Sequence, residues 1–216
     1  MSRVVVFGAG GNAGRRAVAE AVNRGHSVTA VVRDPKKYED LAAVATVVVQ
    51  GDVTDSDSVA SVSAGHDAAI STVFRADVAA DEFYGDAARA LVAGLAKAGV
   101  TRLVAVGVGT TLEVSPGVAV HDTPGFPEAG RDFSVGHAVE LGIFLESDKR
   151  FDWVILTPPP AVLDAAAERT GKYRIGGTQV LPSEEGVPAF AYADLAVALV
   201  DEVESPRFHR ELVAVG

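Results

Sequence analysis

Three regularly spaced glycines follow the first apolar run of the chain. The stretch GAGGNAGRR (8–16) comes directly after Val4–Phe7 and places glycine at positions 8, 11 and 14. Glycine costs roughly 0.5–1 kcal/mol relative to alanine inside regular structure, so its repeated use indicates a backbone that must approach another group closely. Where a strand turns into a helix, free backbone N–H groups and the positive helix end bind phosphate. We therefore predict that Gly8, Gly11 and Gly14 form a dinucleotide-binding turn.

Basic residues stand at the end of the second apolar run, SVTAVVR (27–33). In dinucleotide-binding folds an acidic residue at this position accepts hydrogen bonds from the adenosine ribose, whereas an arginine accommodates a 2′-phosphate. Arg33 occupies the position, and Lys36 and Lys37 follow within one helical turn, although Asp34 adds a negative charge. This pattern predicts NADP as the cofactor in preference to NAD.

The proton donor common among carbonyl reductases of the short-chain dehydrogenase type does not occur in the sequence. Those enzymes use Tyr-x-x-x-Lys, in which lysine lowers the pKa of the tyrosine. Here the residues four positions after the tyrosines are Ala42, Ala88, Gly177 and Ala196. This argues against alcohol dehydrogenation and sugar-nucleotide epimerisation. A flavin or quinone acceptor needs no such donor, because its reduced form is a stabilised anion that solvent can protonate.

Two histidines, His121 and His137, flank a long loop on the side of the sheet where a substrate is expected. We take His137 as a candidate catalytic residue, with a solvent-facing helix position as the alternative. The other three histidines lie at helix ends or at a strand start and are expected to be structural or solvated. No cysteine, His-x-x-x-His or Gly-x-Ser-x-Gly pattern occurs, so neither a metal site nor a serine hydrolase is expected.

The elements that must position these residues alternate along the chain. Strands are predicted at 3–7, 27–33, 45–50, 67–74, 101–109, 152–158 and 209–215, helices at about 12–24, 55–65, 80–98, 134–148 and 192–204, a short helix after Pro35, a loop at 110–132 and a hairpin at 172–181. Loops as long as 110–132 commonly bind ligands. Apolar strands that alternate with helices indicate a parallel sheet covered on both faces. We predict an α/β fold with a doubly wound, mainly parallel sheet of the Rossmann type, in one domain spanning 1–216 with a small C-terminal elaboration on the substrate side.

Length, hydropathy and net charge indicate which kinds of binding partner to expect. The chain has 216 residues, and no apolar run approaches the ~18–20 residues that a membrane span needs. The apolar stretch at the N-terminus is too short for a secretory signal, so we expect a soluble, cytoplasmic protein. A net charge of −10 would repel nucleic acid. We expect a small aromatic or conjugated substrate and a monomer or homodimer.

Several motifs together resemble one protein family. FGAGGNAGRRAVAEAVNRGHSVTAVVRDPKK, GDVTD, LEVSPGV, DTPGFP, ERTGKYRIGG and YADLAVALVDEVESP are similar to segments of the bacterial NADH-flavin reductases. These are atypical short-chain dehydrogenases similar to biliverdin-IXβ/flavin reductase and, more distantly, to NmrA-like proteins. The resemblance covers essentially the whole chain.

The resemblance implies a set of cofactor contacts. Gly8, Gly11, Asn12 and Ala13 would line the pyrophosphate, Arg33 and Lys37 the 2′-phosphate, Asp52 and Val53 the adenine, Val73 and Phe74 the ribose, and Pro158 the nicotinamide. Related chains read GGAGSLEV where this chain reads GVGTTLEV (107–114), which puts Thr111 in the place of a serine. A hydroxyl is kept, so Thr111 is a second candidate catalytic residue, but its extra methyl group restricts the rotamers.

The sequence therefore predicts an NADPH-dependent oxidoreductase that passes hydride to a flat, conjugated acceptor such as a flavin, a quinone or a tetrapyrrole-like compound. A non-catalytic NADP-binding redox sensor of the NmrA-like type is one alternative. A pathway-specific ketoreductase that uses Thr111 or His137 as proton donor is another.

Overall fold

An eight-stranded sheet runs through the computed structural model, which describes residues 1–161, 163–182 and 189–216. The strands are β1 (Arg3–Phe7), β2 (Ser27–Val32), β3 (Val47–Gln50), β4 (Ala68–Ser71), β5 (Arg102–Val106), β6 (Glu113–Ser115), β7 (Val118–Ala119), β8 (Asp152–Thr157), β9 (Ile175–Gly176) and β10 (Glu211–Val215). The α-helices are α1 (Asn12–Asn23), α2 (Ser56–Ser63), α3 (Ala80–Ala98), α4 (Glu128–Glu146) and α5 (Tyr192–Glu204), and 3₁₀ segments cover Pro35–Ala43, Gly109–Thr111 and Val120–Asp122.

The main sheet has the strand order β3-β2-β1-β4-β5-β8-β10-β9. All neighbouring strands are parallel except β9, which pairs antiparallel with β10. The order reverses direction between β1 and β4, and ligands of such sheets bind beyond the carboxyl ends of the strands at this point. The predicted doubly wound, mainly parallel Rossmann-type sheet is confirmed.

Both faces of the sheet are covered by helices. Val4 and Val6 of β1 pack on the face that carries α1 and α5, whereas Val5 and Phe7 pack on the opposite face, under α2, α3 and α4. Because each central strand buries both sets of alternating side chains, it needs an almost continuous apolar sequence. This explains the apolar runs that mark the strands.

Two predicted segments differ from the structure. The predicted loop 110–132 contains a small antiparallel pair, β6 and β7, and α4 begins at Glu128 instead of at 134. The predicted hairpin at 172–181 is wrong, because this segment pairs with other parts of the chain. Its strand β9 joins the edge of β10, and Val180 N–H donates to the Glu113 carbonyl at 2.9 Å. Backbone hydrogen bonds can be satisfied by any adjacent edge, which local sequence does not specify.

Within the described part of the chain, no helix is long and apolar enough to cross a membrane.

Candidate dinucleotide-binding cleft

The turn between β1 and α1 requires glycine at two positions. Gly8 has φ +75°, and a Cβ there would lie 2.7 Å from the Thr72 carbonyl oxygen of the neighbouring strand's exit. A Cβ on Gly14 would collide with the backbone of Gly8 and Ala9. The turn is closed by the Gly11 N–H, which donates to the Gly8 carbonyl at 3.1 Å. Side chains are thus excluded where the strand passes into the helix, and the backbone remains accessible.

The N-terminus of α1 suits an anion. Gly11 is its N-cap, no side chain caps the helix, and the first turn contains no acidic residue. Each of the other four α-helices in the described ranges has an aspartate or glutamate in its first turn. Free amides and the positive end of the helix dipole therefore face the turn without competition from a carboxylate. The turn and the N-terminus of α1 together can therefore bind a pyrophosphate.

A cleft of about 370 Å³ lies beyond the carboxyl ends of β1 to β4. Of the predicted cofactor-binding residues, it is lined by Gly8, Gly11, Arg33, Asp52, Val53, Val73 and Phe74. The other four, Asn12, Ala13, Lys37 and Pro158, lie outside its lining. Asn12 and Ala13 begin α1, Lys37 is exposed on the 3₁₀ segment, and Pro158 is buried after β8.

Arg33 is distinctive in its lack of partners. It is exposed at the edge of the cleft, and it is the one arginine in the described ranges whose guanidinium has no hydrogen-bond or ion-pair partner. The neighbouring Asp34 is engaged elsewhere, since its carboxylate caps the 3₁₀ segment by accepting from Lys36 N–H at 3.2 Å. A free guanidinium therefore stands at the end of β2, and the adjacent carboxylate is held by local backbone.

Sequence reasoning missed a second arginine in the cleft. Arg75 follows Phe74 and binds Asp77 with two hydrogen bonds, Nε–Oδ1 at 2.9 Å and Nη2–Oδ2 at 2.5 Å. This contact, with a further contribution from the charge of Arg33, lowers the pKa of Asp77 to about 2. The pKa of Asp52 is lowered chiefly by the Thr54 N–H, and the charges of Arg75 and Arg33 add to the effect. The available signal was its position next to Phe74, in the segment that follows β4.

Tyr38 forms one wall of the same cleft, and its ring packs directly against Gly10. The Arg15 guanidinium lies 5.5 Å from the centre of that ring, and Arg15 Nε donates to the Gly10 carbonyl at 3.0 Å. The 3₁₀ segment is thereby attached to the glycine turn. Sequence periodicity gave no indication of this contact, because it joins residues on different elements.

At the other end of the site, the exits of β5 and β8 touch. A Cβ on Gly109 would lie 2.5 Å from the Pro158 carbonyl oxygen. Next to this contact, the Thr110 hydroxyl lies 2.6 Å from the Ser134 hydroxyl, which donates to the Gly130 carbonyl at 2.9 Å. His121 is buried, and its Nδ1 lies 2.7 Å from the Thr110 carbonyl, so that nitrogen carries the hydrogen.

The two candidate catalytic residues both make hydrogen bonds inside the fold. The Thr111 hydroxyl donates to the Val108 carbonyl at 2.8 Å. His137 is buried on α4, where its Nδ1 lies 2.9 Å from the Glu140 carboxylate and its ring stacks on Tyr84 with centroids 3.9 Å apart. Burial and the nearby Glu140 carboxylate raise the pKa of Tyr84 above its usual value. His137 is therefore not the solvent-facing helix residue that was the alternative.

The sheet order, the glycine turn and the cleft at the switch point define a dinucleotide-binding protein of the Rossmann type. The chain belongs to the NAD(P)H-binding family, whose sequence model matches residues 8–206. A nicotinamide dinucleotide is therefore the cofactor class of this fold.

Solved structures that are similar over nearly the whole chain include three bacterial proteins. A protein named as a candidate exported protein of Burkholderia pseudomallei is 37% identical, with a TM-score of 0.86 and full coverage of both chains. A candidate epimerase of Bacteroides thetaiotaomicron is 33% identical, with a TM-score of 0.85 over 99% of this chain and 96% of that one. A candidate NADH-flavin reductase of Streptococcus pneumoniae is 28% identical, with a TM-score of 0.83 over 100% and 99%.

Proposed function

We propose that this protein is an NADPH-dependent reductase that transfers hydride to a flat, conjugated acceptor such as a flavin or a quinone. The observation that carries the choice of cofactor is the unpartnered Arg33 at the end of β2, beside an Asp34 whose carboxylate caps the next turn. A 2′-phosphate would supply the partner that this guanidinium lacks, whereas NAD would leave it exposed to solvent. The proposal includes action in the cytoplasm as a monomer or homodimer.

Different residues of the chain would bind the different parts of NADPH. Under this proposal the glycine turn, with Asn12 and Ala13, holds the pyrophosphate through backbone amides. Arg33 and Lys37 bind the 2′-phosphate, Asp52 and Val53 the adenine, Val73 and Phe74 the ribose, and Pro158 the nicotinamide. Bound NADPH would supply a hydride, and with it two electrons, to the acceptor, and solvent would supply the proton that completes the reduction.

The acceptor class follows from the engaged state of the two candidate catalytic residues. Thr111 donates its hydroxyl hydrogen to the Val108 carbonyl, and His137 is buried against Glu140. A ketone needs a positioned proton donor, but a flavin or quinone forms a stabilised anion on reduction. The similar S. pneumoniae protein, named as a candidate NADH-flavin reductase, supports the same class, although Arg33 favours the phosphorylated coenzyme.

The hydrogen bonds that engage Thr111 and His137 also favour a second candidate function, that of a non-catalytic NADP sensor. If neither Thr111 nor His137 is available as a donor, the protein could bind NADP without turnover and act as a redox sensor. An acceptor panel separates the two functions. The enzyme requires that added flavin mononucleotide (FMN), riboflavin or a soluble quinone accelerate NADPH oxidation above the acceptor-free background. Tight NADP binding without oxidation by any acceptor would identify the sensor and refute the reductase.

A further inference from the structure

A second cavity, of about 800 Å³, is lined in part by the residues that follow β8. Its described lining includes Pro159, Pro160, Lys172, Tyr173, Leu181 and Phe190. Pro159 and Pro160 continue directly from Pro158, which the proposal places against the nicotinamide. The volume lies within the usual range of roughly 300–1,000 Å³ for small-molecule sites. We call this space the acceptor cavity.

One aromatic wall of the acceptor cavity is held firmly. The Tyr173 hydroxyl donates to Asp201 at 2.6 Å and accepts from Arg207 at 2.8 Å. Burial, together with the Asp201 carboxylate, raises the pKa of Tyr173 to about 12, so it stays protonated near neutral pH. The Arg207 guanidinium also lies 5.8 Å from the ring centre. The ring is therefore held in place as an uncharged part of the cavity wall.

Three charged side chains are among the described residues that line the cavity, and one of them has no partner within the described ranges. Asp194 is buried, and its carboxylate accepts from Thr170 N–H at 2.9 Å, from the Thr170 hydroxyl at 2.8 Å and from Gly171 N–H at 2.8 Å. Arg174 donates to the Pro182 carbonyl at 2.9 Å, and its own N–H is paired with the oxygen of Gly216, which also lines the cavity. The Lys172 ammonium has no hydrogen-bond or ion-pair partner among the described residues.

The backbone that carries Lys172 is fixed by the Asp194 contacts. Asp194 lies in the first turn of α5 and binds the turn at Thr170 and Gly171, where Gly171 has φ +73°. The Lys172 N–H then donates to the Thr170 hydroxyl oxygen at 3.1 Å. The free ammonium is thus attached to an ordered turn at the cavity wall.

We infer that the acceptor cavity binds the hydride acceptor and that Lys172 attracts an anionic group on it. The ligand is then a planar conjugated ring that carries a phosphate or carboxylate, with FMN as its simplest flavin representative. This inference rests on the proposed function. It is informative because a net charge of −10 disfavours anions elsewhere on the protein, so an anionic acceptor needs a local cation.

The test compares FMN with riboflavin, which has the same ring but no phosphate. The KM for FMN should be about two- to fivefold lower than for riboflavin, the range expected for one solvent-exposed charge pair. Lys172→Met should remove this difference by raising only the KM for FMN, Lys172→Arg should keep it, and kcat should change little. Added salt should reduce the difference in the wild type.

Lys149→Met is the matched control, because Lys149 is exposed just before the amino end of β8, whereas the proposed site lies beyond the carboxyl ends of the strands. It should leave the FMN preference unchanged. Equal KM values for the two flavins, or a preference that survives Lys172→Met, would overturn the inference while leaving the reductase intact. If no acceptor is reduced, the proposed function fails separately. Quenching of flavin fluorescence by the NADP⁺ complex would then still decide whether FMN binds through Lys172.

Discussion

Replacement of Arg33 by alanine tests the cofactor choice most directly. The guanidinium is exposed at the cleft edge and forms no hydrogen bond or close ion pair, so its removal breaks neither. Its charge acts on Asp52 and Asp77 only at longer range. A hydrogen bond to a charged group contributes about 1.5–3 kcal/mol, and solvent exposure places Arg33 at the low end of that range. We therefore expect Arg33→Ala to raise the Kd for NADP⁺ about tenfold, which corresponds to about 1.4 kcal/mol.

The same substitution should leave the Kd for NAD⁺ nearly unchanged, because NAD⁺ has no phosphate for Arg33 to bind. Titration calorimetry with both coenzymes measures this difference, and a salt series should show that wild-type NADP⁺ binding weakens with salt more than binding by the variant. Arg89→Ala is the control, since Arg89 is an exposed arginine on α3 that pairs with Asp86. Equal losses for NADP⁺ and NAD⁺, or no loss for NADP⁺, would refute the assignment of Arg33.

Three further predictions concern the turn, the acidic partner in the cleft and the proton donor. Gly8→Ala forces a side chain into left-handed backbone, at a cost of about 1–2 kcal/mol, and places its Cβ 2.7 Å from the Thr72 carbonyl oxygen, which adds to that cost. The Tm should therefore fall by at least roughly 2–8 °C, and coenzyme binding should be abolished. Gly142→Ala, where a Cβ meets nothing within 4 Å, should do neither. The folded-state pKa of Asp77 is lowered from 3.8 to about 2, so its stabilising contribution is present above pH 3.8 and lost as the pH falls towards 2. The difference in free energy of unfolding between wild type and Asp77→Asn, measured in urea, should therefore shrink over that window, and a growing difference would contradict the pairing with Arg75. Thr111→Val should lower kcat for flavin reduction less than about tenfold, because loss of a true general acid costs about 10²–10⁴; a loss in the latter range with unchanged coenzyme affinity would favour the ketoreductase.

The sequence determined the parts of this protein that depend on local patterns. Strands buried on both faces need continuous apolar residues, so β1 and β2 could be located from the apolar runs in the sequence. The turn at Gly8 needs a residue that tolerates positive φ, and Gly14 must lack a side chain where the helix meets the turn. Seven predicted cofactor-binding residues accordingly line one cleft in the structure.

Only the tertiary structure decided which distant groups meet. Asp34 and Arg33 are adjacent in sequence, yet the structure shows that one is bound by its own turn while the other is free. The burial of His137 depends on how α4 packs against Tyr84 of α3, and β9 pairs with β10, from which it is distant in sequence. Such contacts join residues far apart in the chain, and their free energy depends on packing and desolvation that no local pattern encodes.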